Sequence, residues 1–288
     1  MTRFLLLFTV VIWGWTFVAT RICLEFLSPA ELLGLRLLIG LPVLVVVVIL
    51  KKIKFRFTPG EWKQILIGSA VITLHFLVQI TGLQYTTATN TGWIISVSPL
   101  VMAVLAFFFL KEKIGKNQII AIAVATFGIL LLMSHGDLTH LGFLTSLGDW
   151  LVLISAHTWA IYTVVTRNLS KTQHPLAITV GVLTPALIVM TVYMAFTSDW
   201  TKFAHLPAKG VVALLFLAIV GLALGHWFWQ EGVAKVGAAR AGIYLYIEPV
   251  ATTALAIPLL GEPFGWVAAA GASLVLLGVY IGQRSKAA

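Results

Sequence analysis

Charge is what this chain most lacks. Asp, Glu, Lys and Arg make up 10% of its 288 residues, against roughly 25% in an ordinary water-soluble domain, so it cannot clothe a solvated surface of normal size. Acids are the scarcer sign, with 10 against 19 basic residues. Cysteine is nearly absent. The single Cys23 excludes an internal disulfide, and no spacing of Cys and His suggests a metal cage, so neither redox chemistry nor a metal or other cofactor is expected. The metalloprotease pattern His-Glu-x-x-His is missing too, and Gly271-Ala272-Ser273 is too common in packed helices to serve as a nucleophile motif. What fills the space is apolar: hydrophobic residues reach 60% and mean hydropathy is +1.01. This composition predicts an integral membrane protein.

Ten hydrophobic segments are each long enough to cross a roughly 30 Å apolar core as a helix. They cover residues 4–20, 30–50, 63–83, 90–110, 117–134, 149–167, 176–197, 210–230, 241–260 and 265–283. The first follows Arg3 like a signal peptide, yet no small-x-small cleavage site follows it and the segment recurs as 149–167, so it is expected to be retained.

The second half repeats the first. At an offset of 150, Gly82, Ala88, Gly92, Pro99, Glu112 and Gly128 fall on Gly232, Ala238, Gly242, Pro249, Glu262 and Gly278 without a gap. Nearer the N-terminus the offset is 146, and Trp13, Thr20, Arg21 and Pro29 fall on Trp159, Thr166, Arg167 and Pro175. The fold class expected is therefore all-α, ten transmembrane helices in two five-helix repeats, residues 1–140 and 141–288. With the N-terminus inside, the inner side holds fifteen Lys and Arg residues, the outer side only Arg21, Lys202 and Lys209, and Arg36 lies within a span. That imbalance orients the chain with both termini cytoplasmic. It also explains the net charge of +9 without nucleic acid. Five spans per half make the repeats inverted, joined by an outer loop with His135, Gly136, Asp137 and His140. Inverted halves are the plan of a secondary transporter, with the substrate near the midplane between them.

The Trp13-Gly14-x-x-Phe17 opening, the stretch Pro29 to Arg36, Gly92 to Pro99 followed by Glu112, and the echoes Gly242, Pro249 and Glu262 together resemble the EamA-type drug/metabolite transporter superfamily over nearly the full length. The resemblance implies an inner-membrane carrier that exports small metabolites, amino acids among them, by alternating access, and not an enzyme. Competing readings are a multidrug or cationic-compound exporter, a passive exchanger and an intramembrane enzyme. Expected partners are a small-molecule substrate, the lipid bilayer and, for coupling, protons. No nucleic acid is expected, and the monomer is expected to be the working unit.

Polar side chains inside spans carry the site, because a charge at the bilayer centre costs at least about 2.5–3.5 kcal/mol. His75 and Gln79 share a helix face, and His226 and Gln230 repeat the pairing. Trp159 and Tyr162 sit about 15 Å into their span, three residues apart, where an indole or phenol needs a polar partner. Tyr244 joins them from the ninth span. These seven residues are the expected substrate-binding set, with aromatic walls suited to an aromatic amino acid or a cation. Trp93, Trp150 and Trp229, close to span ends, are expected in the interfacial belt. Glu248, about 12 Å deep, and Arg36 are the expected coupling or gating pair, exchanging partners between states or, for Glu248, binding and releasing a proton. Pro99 and Pro249 remove backbone hydrogen bonds within spans and are expected as kinks or gating hinges. Gly128, Gly271 and Gly278 are expected to let helices approach closely, and Glu112 and Glu262 to be solvated or to cap helices.

Overall fold

The computed structural model describes residues 2–133, 146–261 and 266–283. All regular structure among them is helical. The expected 135–140 loop, Glu262, and the cations Arg284 and Lys286 lie outside these residues.

The chain runs as α1 (Thr2–Cys23), α2 (Pro29–Leu50), α3 (Pro59–Gln84), α4 (Ala88–Ile95), α5 (Ser98–Leu105), α6 (Lys116–Met133), α7 (Leu147–Leu169), α8 (Pro175–Thr197), α9 (Ala208–Leu215), α10 (Gly225–Val236), α11 (Ala238–Leu245), α12 (Glu248–Leu260) and α13 (Trp266–Gln283). A π-helical stretch, Phe216–Leu224, welds α9 to α10, and another, Ala106–Leu110, extends α5. Seven helical runs are long and apolar enough to cross a membrane: α1, α2, α3, Ala88–Leu110, α8, Ala208–Val236 and Ala238–Leu260. The apolar parts of α6 and α13 are shorter, and α7, carrying Asp149 and Arg167, falls outside that group. Large apolar side chains such as Phe107, Phe108, Phe109, Ile188, Val192 and Phe196 are exposed around the bundle, as a lipid-facing surface requires and a watery one forbids. The protein is a multi-pass membrane protein.

Local sequence sets where helices start. Ser28-Pro29-x-Glu31 and Thr58-Pro59-x-Glu61 each make a full capping box, with Pro in the first turn where its missing N–H costs nothing. Ser146 and Asp149 do the same for α7. Two spans break in the middle. Ser96 and Val97 separate α4 from α5, and Tyr246 and Ile247 separate α11 from α12. Pro99 and Pro249 are second in the helices that follow, and the two residues before each of those helices keep right-handed helical dihedrals, so each span is a continuous run interrupted at its proline.

Helices pack in pairs: α6 on α13, α3 on α7, α1 on α10 and α12, α2 on α8 and on the 216–224 stretch, α4 on α12 and α5 on α11. Glycines allow the closest approaches. A Cβ on Gly128 would lie 2.8 Å from the Gly271 carbonyl, and one on Gly278 2.8 Å from that of Ala121.

Glu112 caps α11. Its carboxylate accepts from the backbone N–H of Ala238 at 3.0 Å and of Ala239 at 3.1 Å, with Arg167 Nε 3.5 Å away. This is the helix-capping role expected for it. The cap depends on Gly237, whose φ of 88° and ψ of 162° lie in a region essentially closed to other residues, and whose missing Cβ would meet Glu112 Oε1 at 2.8 Å. Gly237→Ala is expected to cost about 1–3 kcal/mol from backbone strain alone, read as a lower unfolding midpoint in detergent.

Two belt expectations fail. Trp229 is fully buried, because the run containing it continues to Val236 and leaves it well inside the bundle. Trp93 is buried because Gly92 brings α4 against Pro249 and Thr252 of α12. Trp150 is half exposed, as a belt residue is.

Candidate functional site

A cavity lies within the bundle. Trp13, Thr16 and Phe17 reach it from α1, Arg36 from α2, His75, Phe76 and Gln79 from α3, and Trp159 from α7. His226 reaches it from α10, while Ile95, Ser98, Leu245 and Glu248 flank the two helix breaks. Both halves of the chain thus contribute. The space left for water-molecule centres is about 40 Å³, enough for a few waters, so a larger occupant requires the walls to part.

Aromatic rings form one end. Trp13 and Trp159 meet edge to face at 4.8 Å, and Trp229 packs on them at 5.3 and 5.7 Å. His75, Tyr162 and His226 also pack on Trp159, at 5.2, 5.3 and 5.8 Å. Such ring pairs contribute about 0.5–1.5 kcal/mol each beyond burial. Trp159 is thus the hub of this ring cluster. At the other end Phe17 and Ile95 belong to a second apolar cluster with Leu83, Ala88 and Ala156.

Each histidine is oriented by a main-chain carbonyl. His75 Nδ1 donates to Ser155 O at 2.9 Å, and His226 Nδ1 to Leu222 O at 3.0 Å. Because a carbonyl only accepts, Nε2 of each neutral ring is an acceptor. Trp13 Nε1 donates to Gly221 O at 2.9 Å, within the π-helical stretch. It fits because Gly225 lacks a Cβ, which would lie 2.5 Å from that nitrogen.

Arg36 and Glu248 are 4% and 3% exposed and line the same cavity, yet no ion pair joins them. The Arg36 guanidinium carbon stands 5.0 Å from the centre of the Phe76 ring, and its Nε has no hydrogen-bond partner. The Glu248 side chain has no hydrogen-bond or ion-pair partner among the described residues. A basic and an acidic side chain thus line one cavity, each without the partner that burial normally demands.

Of the expected residues, His75, Gln79, Trp159, His226, Arg36 and Glu248 come together here. Tyr162 sits behind Trp159, and Tyr244, Pro99 and Pro249 are outside the lining. Gln230 is turned away: its Nε2 donates to Thr166 O and Ser170 Oγ, both at 3.3 Å. The reason is direction. Along α7, His75 lies by Ser155 and Gly82 by Gly148, whereas His226 lies by Trp159 and Gln230 by Thr166. Hence α3 and α10 run oppositely, and a step of four residues carries Gln79 and Gln230 to opposite sides of the histidine layer. Trp13, the repeat counterpart of Trp159, was findable by that symmetry. Phe17 was marked only as part of the Trp13-Gly14-x-x-Phe17 opening, and Phe76 and Ile95 carry no sequence signal distinguishing them from other apolar positions.

Similarity to known proteins extends over the same residues. The EamA-like transporter family matches residues 1–134 and 146–282. The uncharacterized transporter YyaM of Bacillus subtilis is 27% identical over 92% of this chain and 88% of its own length. An uncharacterized transporter of Archaeoglobus fulgidus is 27% identical over 97% and 96%. A probable amino-acid metabolite efflux pump of Salmonella typhimurium is 26% identical over 96% and 93%. A solved crystal structure superposes with a TM-score of 0.78 over 98% of both chains at 15% identity, a likeness of fold.

Proposed function

Since the chain belongs to the EamA-like transporter family and is a membrane transporter, not an enzyme, we propose that it exports a small zwitterion, an amino acid or close derivative, across the inner membrane by alternating access. The observation that carries this is the pair Arg36 and Glu248, buried at one cavity without partners. A ligand with a carboxylate and an ammonium group satisfies both at once, Arg36 by charge-assisted bonds to the carboxylate and Glu248 by the same to the ammonium. The name of the Salmonella relative points to the same class of compound.

The proposed architecture is ten spans in two inverted repeats, residues 1–140 and 141–288, with both termini cytoplasmic. The packing supports it. Exchanging the halves turns the α3–α7 contact into α1–α10, and α5–α7 into α1–α12, while α2–α8 and α6–α13 map onto themselves. Both observed pairs exist in each case. The two central helix breaks also match, Ser96–Val97 and Tyr246–Ile247, in the manner of transporters whose half-helices frame the substrate. The working unit is one chain.

The test is efflux. Inside-out vesicles bearing the chain should accumulate labelled amino acids without hydrolysing them, and a reporter after Lys286 or within residues 51–63 should read as cytoplasmic, one at 135–140 as external. No accumulation of any amino acid would sink the substrate reading; reversed reporters would sink the orientation.

A further inference from the structure

The fold treats the cations at the two ends of α2 differently. Where α2 begins, Lys202 is paired with Glu31 and Lys209 with Glu25. Where it stops, Lys51, Lys52, Lys54 and Arg56 follow in the loop to α3, and Lys63 lies near the start of that helix. All five are exposed, and none has an ion-pair partner among the described residues. Glu61, the acid nearest to them in sequence, is already bonded by the Thr58 N–H, Thr172 Oγ1 and Gln173 Nε2. One end of the bundle thus neutralises its lysines, and the other presents its cations outward.

The loop that presents them is held in place. Ile53 N–H donates to Val48 O at 3.1 Å, Gln173 Nε2 donates to Arg56 O at 3.0 Å, and Ile53 and Phe57 pack on the core. Its depth follows from its neighbours. Leu50, 75% exposed and so lipid-facing, immediately precedes Lys51, and Trp62, 47% exposed, immediately precedes Lys63. Phe57 packs edge to face on Phe55 and on Trp62, at 6.0 and 5.3 Å, so aromatic rings stand among the cations as they do at a membrane interface. Cations that follow lipid-facing side chains within one residue reach headgroup level on their flexible stems.

We propose that the α2–α3 loop is a docking site for the headgroup of an anionic phospholipid, whatever the cavity carries. Each Lys or Arg near the surface strengthens attachment to an anionic leaflet about fivefold, whereas a zwitterionic headgroup brings its own cation and gains little. A lipid fits better than a soluble phosphate. Leu50 and Phe55, both exposed beside the cations, give an acyl chain apolar surface to cover, which a soluble anion leaves bare.

The purified full chain in detergent, titrated with phosphatidylglycerol or with phosphatidylcholine of the same acyl chains and read by native mass spectrometry, tests this. Phosphatidylglycerol should bind at least about twentyfold more tightly, and the preference should weaken as salt rises. Lys52→Gln, Lys54→Gln and Arg56→Gln together should weaken phosphatidylglycerol binding at least about twentyfold, and Lys54→Gln alone about fivefold. Lys202→Gln with Lys209→Gln should leave it unchanged. Equal binding of the two lipids, indifference to the loop substitutions, or an equal loss in the Lys202 and Lys209 variant overturns the proposal. Displacement of the lipid by glycerol phosphate at comparable concentration overturns it as well, since the site would then be one for a soluble phosphate.

Discussion

Arg36→Met is expected to lose transport by about 10- to 150-fold, the equivalent of one hydrogen-bonded charge at about 1.5–3 kcal/mol, while its thermal stability holds or rises. The combination is what distinguishes a ligand-binding charge from a structural one. A buried guanidinium with no ion pair and an unpartnered Nε is a cost to the unliganded fold. Methionine fills similar length and packs against Phe76 without that cost. A structural arginine would behave oppositely, because breaking a buried pair typically costs about 3–5 kcal/mol. Thermal unfolding in detergent, measured beside counterflow on the same preparation, separates the two. A variant that loses stability and transport together contradicts the assignment.

Glu248→Gln is expected to reduce gradient-driven transport and substrate exchange together, each by at least about tenfold, because the amide keeps the shape but loses the charge that holds the ammonium group. Glu248 starts the half-helix α12 and lies beside Leu245 at the break in the ninth predicted span. Its repeat counterpart Ser98 instead donates to Ala156 O at 3.1 Å. The carboxylate therefore breaks the correspondence between the halves, as does Arg36, whose sequence counterpart is Val182. Two asymmetric charges fix which way round a zwitterion sits. If driven transport falls while exchange persists, Glu248 carries the coupling proton and not the substrate. If both persist, it does neither.

Much of the fold was legible because length and caps dictate it. The predicted segment 30–50 is α2, Pro29–Leu50, fixed by a Ser28 capping box at one end and by the charged Lys51 and Lys52 at the other. The breaks in the fourth and ninth predicted spans were only half legible. Pro99 and Pro249 mark them, since each removes a backbone hydrogen bond within its span, but which preceding residues lose regular helical bonding carries no signal of its own. The π-helical stretch at Phe216–Leu224 has no residue signature, nor does the continuation of α10 to Val236, which leaves Trp229 in the interior. At the site, charge was the reliable guide. Arg36, Glu248, His75 and His226 are too costly in an apolar span to lack a reason, and all four line the cavity. Periodicity misled at Gln230, since the same i, i+4 spacing points to opposite ends of the bundle on helices running in opposite directions.

Blocking one end of the ligand at a time gives the most direct test of the zwitterion site. Counterflow of a labelled amino acid should be inhibited by the unlabelled compound, and at least about tenfold less by its N-acetyl derivative, which has lost the ammonium for Glu248, and by its methyl ester, which has lost the carboxylate for Arg36. Inhibition by either blocked derivative as strong as that by the free amino acid would contradict the account.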